Sequence, residues 1–144
     1  MSRNVIRGGQ QTGFTLIELL VVLVILGLLG GLIGPKLFGN VDKAKADTSK
    51  AQIENLGAAL DMFRLENGRY PTSSEGLNAL VSNPGGLDRW NGPYLKKSVL
   101  PKDGWDQEFV YRSPGEHGGY DLLSYGADQS PGGEGYDADI VSWE

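Results

Sequence analysis

Gly13-Phe14-Thr15-Leu16-Ile17-Glu18 opens an otherwise apolar stretch that continues to about Ile33. The stretch is roughly 20 residues, and at about 1.5 Å rise per residue a helix of that length spans a hydrocarbon core of about 30 Å. Arg3 and Arg7 precede it with no acid among them, a bias that keeps the first dozen residues on the cytoplasmic side. Glu18 is the one charge inside the stretch. A carboxylate there is costly by insertion scales and marks function by default. The segment reads as a membrane-inserted helix with a deliberate charge near its cytoplasmic end.

Blander readings fit less well. A secretory signal has an apolar region of about 7–15 residues before a small-residue cleavage site. Here the run is longer, and Gly30, Gly31 and Gly34 lead into Pro35 and a helical pattern. A plain anchor explains length and orientation but leaves Glu18 without a use. A buried core helix would need a larger domain around it than 144 residues supply.

Beyond the apolar stretch the helix is expected to continue. Gly34-Pro35 predicts a kink or a locally unwound turn, because proline removes a backbone donor and restricts the residue before it. Leu37, Val41 and Ala44, then Ile53, Leu56, Leu60 and Phe63, recur at spacings of three and four, so one face of the helix meets a core. The glycines at 27, 30, 31 and 34 either permit close helix packing or are simply frequent membrane-helix residues. Asn67-Gly68 supplies a stop and Pro71 prevents resumption. Thr72-Ser73-Ser74-Glu75 has the form of a capping box, predicting a short helix from Gly76 through Val81 that ends near Asn83-Pro84-Gly85-Gly86. Residues 108–112 and 120–125 have strand-like content, separated by Ser113-Pro114-Gly115 and Gly118-Gly119. The economical result is an α+β fold, a long helix packed on a small antiparallel sheet. Trp90, Trp105 and Trp143 read as core or loop anchors.

Composition narrows the function. The chain has no cysteine, so no disulfide staples it. Its net charge of −5 makes nucleic acid an unsuitable partner. His117 is the lone histidine, set in a Glu-His-Gly-Gly turn with no cysteine and no motif-level serine to activate. No phosphate-binding glycine loop precedes a helix. The chain is expected not to be an enzyme.

The last third is acidic. After Arg112 there is no Lys or Arg, yet seven acids follow. Four of them, Asp128, Glu134, Asp137 and Asp139, sit in the glycine-rich segment from Gly126 to Asp139. Hard cations such as Ca²⁺ take six to eight oxygen ligands, and glycines can turn carbonyls inward at little steric cost. The spacing of Asp128, Ser130, Gly133 and Asp139 superficially imitates an EF-hand. It lacks the flanking helices and has Asp in place of the final Glu. By spacing alone the loop is either a cation site or a solvated acidic turn.

Gly13-Phe14-Thr15-Leu16-Ile17-Glu18 resembles the processing site of type IV pilins and pseudopilins. The segment from Tyr70-Pro71-Thr72 through Ala79-Leu80-Val81, together with Gly126-Ala127-Asp128 and Asp137-Ala138-Asp139-Ile140, resembles the major pseudopilins of type II secretion systems. The likeness covers nearly the whole chain. It implies a type IV pilin-like fold in three parts: a cleaved leader (1–13), the transmembrane half of the long helix (14–34) and a periplasmic globular domain (35–144). Cleavage by the prepilin peptidase would fall between Gly13 and Phe14, Phe14 would be N-methylated, and loss of Arg3 and Arg7 would take the charge to −7. An ammonium at Phe14 and the Glu18 carboxylate are both costly in lipid, and each lowers the other's cost if they pair between adjacent subunits. Glu18 would then set assembly register.

The same resemblance implies calcium as cofactor. Asp128, Asp137 and Asp139 are the expected side-chain ligands and the Tyr125 carbonyl a weaker one. It also implies a subunit in the bacterial inner membrane, single-pass with a cytoplasmic N-terminus and a periplasmic body. Its partners would be itself in a helical homopolymer, minor pseudopilins, the inner-membrane secretion platform and inner-membrane lipid. The alternative within the superfamily is a type IV pilin for adhesion or motility, but those often close a C-terminal loop with a disulfide. A monomeric, membrane-anchored calcium sensor is a third reading, one that needs no leader cleavage. One place departs from the family pattern: Asp-Pro-Trp-Gly is common before the hairpin, where this chain has Asp103-Gly104-Trp105-Asp106. Because glycine and aspartate also serve turns, the turn is expected to survive.

Overall fold

The computed structural model describes Gly9 and residues 12–144. Arg3, Arg7 and most of the expected leader lie outside the described residues. One helix, α1, runs from Leu16 to Asn67. Contacts divide the chain after Phe38 into two units.

In the first unit α1 is long and apolar enough to cross a membrane, and none of its most apolar window is buried. Its start is locked by two reciprocal hydrogen bonds. Thr15 Oγ1 accepts the Glu18 N–H at 3.3 Å and Glu18 Oε2 accepts the Thr15 N–H at 3.4 Å. This is a capping box, so Glu18 satisfies a free backbone donor of its own helix. The locally unwound turn allowed for at Gly34-Pro35 does not form, since α1 is helical through Pro35. Proline removes one hydrogen bond and crowds the carbonyl four residues back. Here that residue is Gly31, and the bonds on either side keep the helix running.

The second unit, from Gly39, holds the core. Ile53, Leu56, Ala59, Leu60 and Phe63 form the buried face of α1. They meet Leu77, Ala79, Leu80, Phe109 and Leu122. Each such side chain contributes about 1.5–3 kcal/mol when fully buried. The buried stripe begins only at Ser49, so Leu37 and Val41, which share the apolar spacing, stay about half exposed. α1 stops where expected: Gly68 takes φ +78° and its N–H bonds the Arg64 carbonyl at 2.8 Å.

The second capping box also forms, with Thr72 N–H to Glu75 Oε2 at 2.8 Å and Glu75 N–H to Thr72 Oγ1 at 3.2 Å. The helix predicted after it shrinks to a 3-10 turn, Leu77–Leu80, because Gly76 (φ 63°, ψ −169°) interrupts it. Arg69 forks onto Glu75 at 2.7 and 2.8 Å. That hydrogen-bonded guanidinium holds the Glu75 carboxyl down at about 2. A carboxyl lowered on folding stabilises above its unfolded value of about 4.3, and that stabilisation is lost as pH falls towards 2. Glu75→Gln should therefore lower the urea midpoint at pH 6, with a deficit that closes as the pH approaches 2. A deficit constant with pH would contradict the pairing.

Three antiparallel strands follow in the order β1 (Val110–Arg112), β2 (Asp121–Ser124) and β3 (Ile140–Val141). Val110 pairs with Leu123 and Arg112 with Asp121, while Leu123 pairs with Val141 and Ser124 with Ile140. β2 is central and wholly buried. β3 was not read from sequence, since two residues carry no alternation to detect.

A buried polar network ties these pieces together. Asp103 Oδ1 accepts the N–H groups of Trp105 and Gln107, each at 2.9 Å, and its Oδ2 accepts the Ser124 hydroxyl at 2.6 Å. Ser49 accepts the Gly104 N–H at 2.8 Å and donates to the Lys45 carbonyl at 2.9 Å. The 103–107 turn is thereby fixed between α1 and β2.

Candidate functional site

Two places can carry function. The first is the start of α1, where Gly13 and Phe14 are exposed beside the Thr15–Glu18 box. Exposure of the Gly13–Phe14 bond suits a processing enzyme that must reach it.

The second is the segment from Tyr125 to Asp139, leaving the buried end of β2 and returning into β3. Ser124 Oγ accepts the Gly126 N–H at 3.3 Å, so the Asp103 network reaches the loop's first residue. The loop closes where Tyr136 O accepts the Ala127 N–H at 2.9 Å, and Gln129 bonds the Gly126 carbonyl. Gly126 (φ +73°) and Gly133 (φ +96°) cannot be replaced cheaply. A Cβ on Gly126 would sit 2.7 Å from the Ala138 carbonyl oxygen and 2.8 Å from that of Tyr136, and one on Gly133 2.5 Å from that of Asp137. Main-chain oxygens thus pack against the two glycines.

The expected acids fall differently from one another. Asp128 and Asp137 are exposed, and Asp128 Oδ1 caps the Ser130 N–H at 3.0 Å. Asp137 ends a 3-10 turn, Gly135–Asp137. Tyr125 is half-buried. Asp139 is the distinctive one. Its Oδ2 accepts the Gly132 N–H at 3.1 Å, while its Oδ1 is buried with no hydrogen-bond partner. An unsatisfied buried acceptor costs about 1–3 kcal/mol, more when charged. A cation bound there would remove that cost, so the Asp139 carboxylate and the oxygen-rich backbone fit the hard ion that the resemblance implies. Among the described residues, no three Asp, Glu or His side chains are gathered to hold a metal by themselves. Asp128 and Asp137 would have to close in.

The family model described as "Type II secretion system (T2SS), protein G" matches residues 36–143. The chain belongs to the type II secretion system protein G family. A second model, the prokaryotic N-terminal methylation motif, matches residues 9–34 and contains the Gly13–Glu18 stretch. Type II secretion system core protein G of Pseudomonas aeruginosa is 47% identical over 139 residues, covering 94% of this chain and 96% of that protein. The Vibrio cholerae protein of the same name is 46% identical over 137 residues, covering 93% and 92%. The crystal structure of the major pseudopilin of enterohaemorrhagic Escherichia coli is also similar. It has a TM-score of 0.60 and 38% identity, covering 76% of this chain and 95% of that one. The protein G family is one of structural pseudopilins, which agrees with the fold of one long helix on a small antiparallel sheet. The adhesive or motile pilin reading is not favoured.

Sequence reasoning missed Thr15 as partner of Glu18, although Thr-x-x-Glu before an apolar run is the capping-box signature. It also missed Asp103, Ser124 and Ser49, whose roles depend on contacts between residues far apart in the chain.

Proposed function

We propose that this chain is the repeating subunit of a type II secretion pseudopilus, polymerising head to tail into a periplasmic filament that drives folded exoproteins through the outer membrane. Head-to-tail contacts that do not close into a ring build open helical filaments, as this role requires. The observation that carries the reading is the union in one chain of a methylation motif over 9–34 and a protein G body over 36–143. Prepilin peptidase cuts between Gly13 and Phe14 and methylates Phe14. The apolar half of α1 stays in the inner membrane until assembly, and Glu18 pairs with the neighbouring subunit's new amino terminus. The secretion platform and minor pseudopilins are the remaining partners. A deletion strain should retain folded exoproteins in the periplasm and recover export with the wild-type gene. Normal export in the deletion strain would overturn the assignment.

Calcium in the C-terminal loop is the second part of the proposal. Asp139 would hold the ion together with Asp128, Asp137 and main-chain oxygens, the Tyr125 carbonyl among them. The ion supplies charge neutralisation and order rather than chemistry. At a hundredfold excess over its dissociation constant it would add about 2.7 kcal/mol of stability. The melting temperature of the full chain in detergent should rise by several degrees with Ca²⁺ but not Mg²⁺, and Asp139→Asn should abolish the rise. An equal rise in Asp139→Asn would remove this residue from the site.

A further inference from the structure

The C-terminal tail is held by more than its two-residue strand. Past β3, Ser142 and Leu122 bond reciprocally: Ser142 N–H to Leu122 O at 2.9 Å, and Leu122 N–H to Ser142 Oγ at 3.1 Å. Trp143 then lies flat on the His117 ring, with centroids 3.8 Å apart and planes 3° from parallel. His117 is itself fixed by the buried Asp121 at the start of β2. Its backbone N–H donates to Asp121 Oδ1 at 3.1 Å, and its Nδ1 is 3.1 Å from Oδ2, which also accepts the Glu116 N–H at 3.0 Å. The result is a closed circuit. β2 anchors the turn, the turn carries His117, His117 carries Trp143, and Trp143 lies four residues beyond Asp139 on a tail that pairs back onto β2.

We propose that the His117–Trp143 stack is a positioning device for Asp139, and so sets how tightly the C-terminal loop holds a divalent cation. A two-residue edge strand has few bonds to resist fraying, and chain ends fray unless tied down. The stack is the outermost tie. Without it Ile140 and Val141 open more often, Asp139 Oδ2 loses the Gly132 N–H, and Oδ1 leaves its buried place. Residues that orient a ligand without touching the ion typically change metal affinity tenfold or more when removed. Neither His117 nor Trp143 is a ligand here. The effect on cation affinity rests on the calcium reading proposed above, whereas the anchoring of Asp139 does not.

The test uses the full chain in detergent micelles, with Ca²⁺ as the probe and two readouts. One is the Ca²⁺ dissociation constant by titration calorimetry. The other is hydrogen exchange at the Gly132 amide in chelator, which reports Asp139 whether or not an ion binds. Trp143→Ala should weaken Ca²⁺ binding about tenfold and speed Gly132 exchange, leaving exchange at Leu60 and Phe63 unchanged. Trp143→Phe, which keeps a flat ring against His117, should leave both readouts near their wild-type values. Unchanged Gly132 exchange in Trp143→Ala would overturn the proposal. So would exchange that quickens equally at Leu60 and Phe63, or a Trp143→Phe variant that behaves as the Ala variant does. Failure of the wild type to bind Ca²⁺ would overturn the calcium reading and the affinity effect, leaving Gly132 exchange to decide the anchoring.

Discussion

Chains carrying Glu18→Val are expected to insert in the membrane and be processed there, but not to polymerise. In the proposed filament the Phe14 ammonium of one subunit meets the Glu18 carboxylate of the next in a low-dielectric setting. Removing one member of a buried ion pair strands the other charge, at about 3–5 kcal/mol. At about 1.4 kcal/mol per tenfold, that is over a hundredfold in subunit affinity. It recurs at every contact along the filament. The Thr15–Glu18 capping box adds a second consequence, since valine cannot accept the Thr15 N–H. Glu18→Gln separates the two effects, because glutamine also serves a capping box but carries no charge. Cysteine crosslinking and electron microscopy should find filaments lost in both variants if the charge is decisive. Filaments restored by glutamine would mean that the cap, and not the ion pair, is what assembly needs.

Gly104→Ala should be the most damaging single-methyl change in the globular unit. A Cβ there would lie 2.6 Å from the Lys45 Cα and closer still to its carbonyl oxygen. The obstacle is helix backbone, which cannot swing aside as a side chain would. Relief requires the turn to back away from α1, giving up the Gly104 N–H bond to Ser49 and disturbing the Asp103 bonds beside it. Overpacking costs about 1–3 kcal/mol, and the lost buried hydrogen bond adds to it, so about 3 kcal/mol or more is expected. Two residues on, the sign reverses. Asp106 holds φ 60°, a left-handed conformation that costs a non-glycine residue about 1–2 kcal/mol. Its side chain is exposed, and its N–H bond to the Asp103 carbonyl survives substitution. Asp106→Gly should therefore gain up to about 1 kcal/mol after the entropy that glycine loses on folding. Denaturant midpoints measured side by side would show the opposite shifts, and a neutral Gly104→Ala would refute the close approach.

These two positions are the ones that depart from the Asp-Pro-Trp-Gly pattern. The left-handed residue is where the pattern places glycine, so Asp106 carries strain there that glycine would not. Gly104 stands where the pattern has proline, and in this chain it permits close packing on the helix. The letters alone predicted that a turn would survive. They could not say that it would be pressed against Lys45, because nothing local encodes which helix turn lies behind it.

The boundaries of α1, the membrane-length apolar run, the Gly68 stop, the Thr72–Glu75 box and the β1–β2 hairpin were all legible in the sequence. Each depends on neighbours within a few residues: periodicity, a cap, or a glycine free to take positive φ. The same local reasoning overreached at Leu37 and Val41, which have core spacing but stay exposed. At Pro35 the unwound turn it allowed for does not form, since a long ladder of bonds absorbs one loss. Only the tertiary structure decided which acids are buried, which serine ends which hydrogen bond, and that Asp139 alone of the three loop aspartates has an oxygen shut away without a partner. Those outcomes turn on desolvation, and desolvation is set by residues tens of positions away that the fold brings against them.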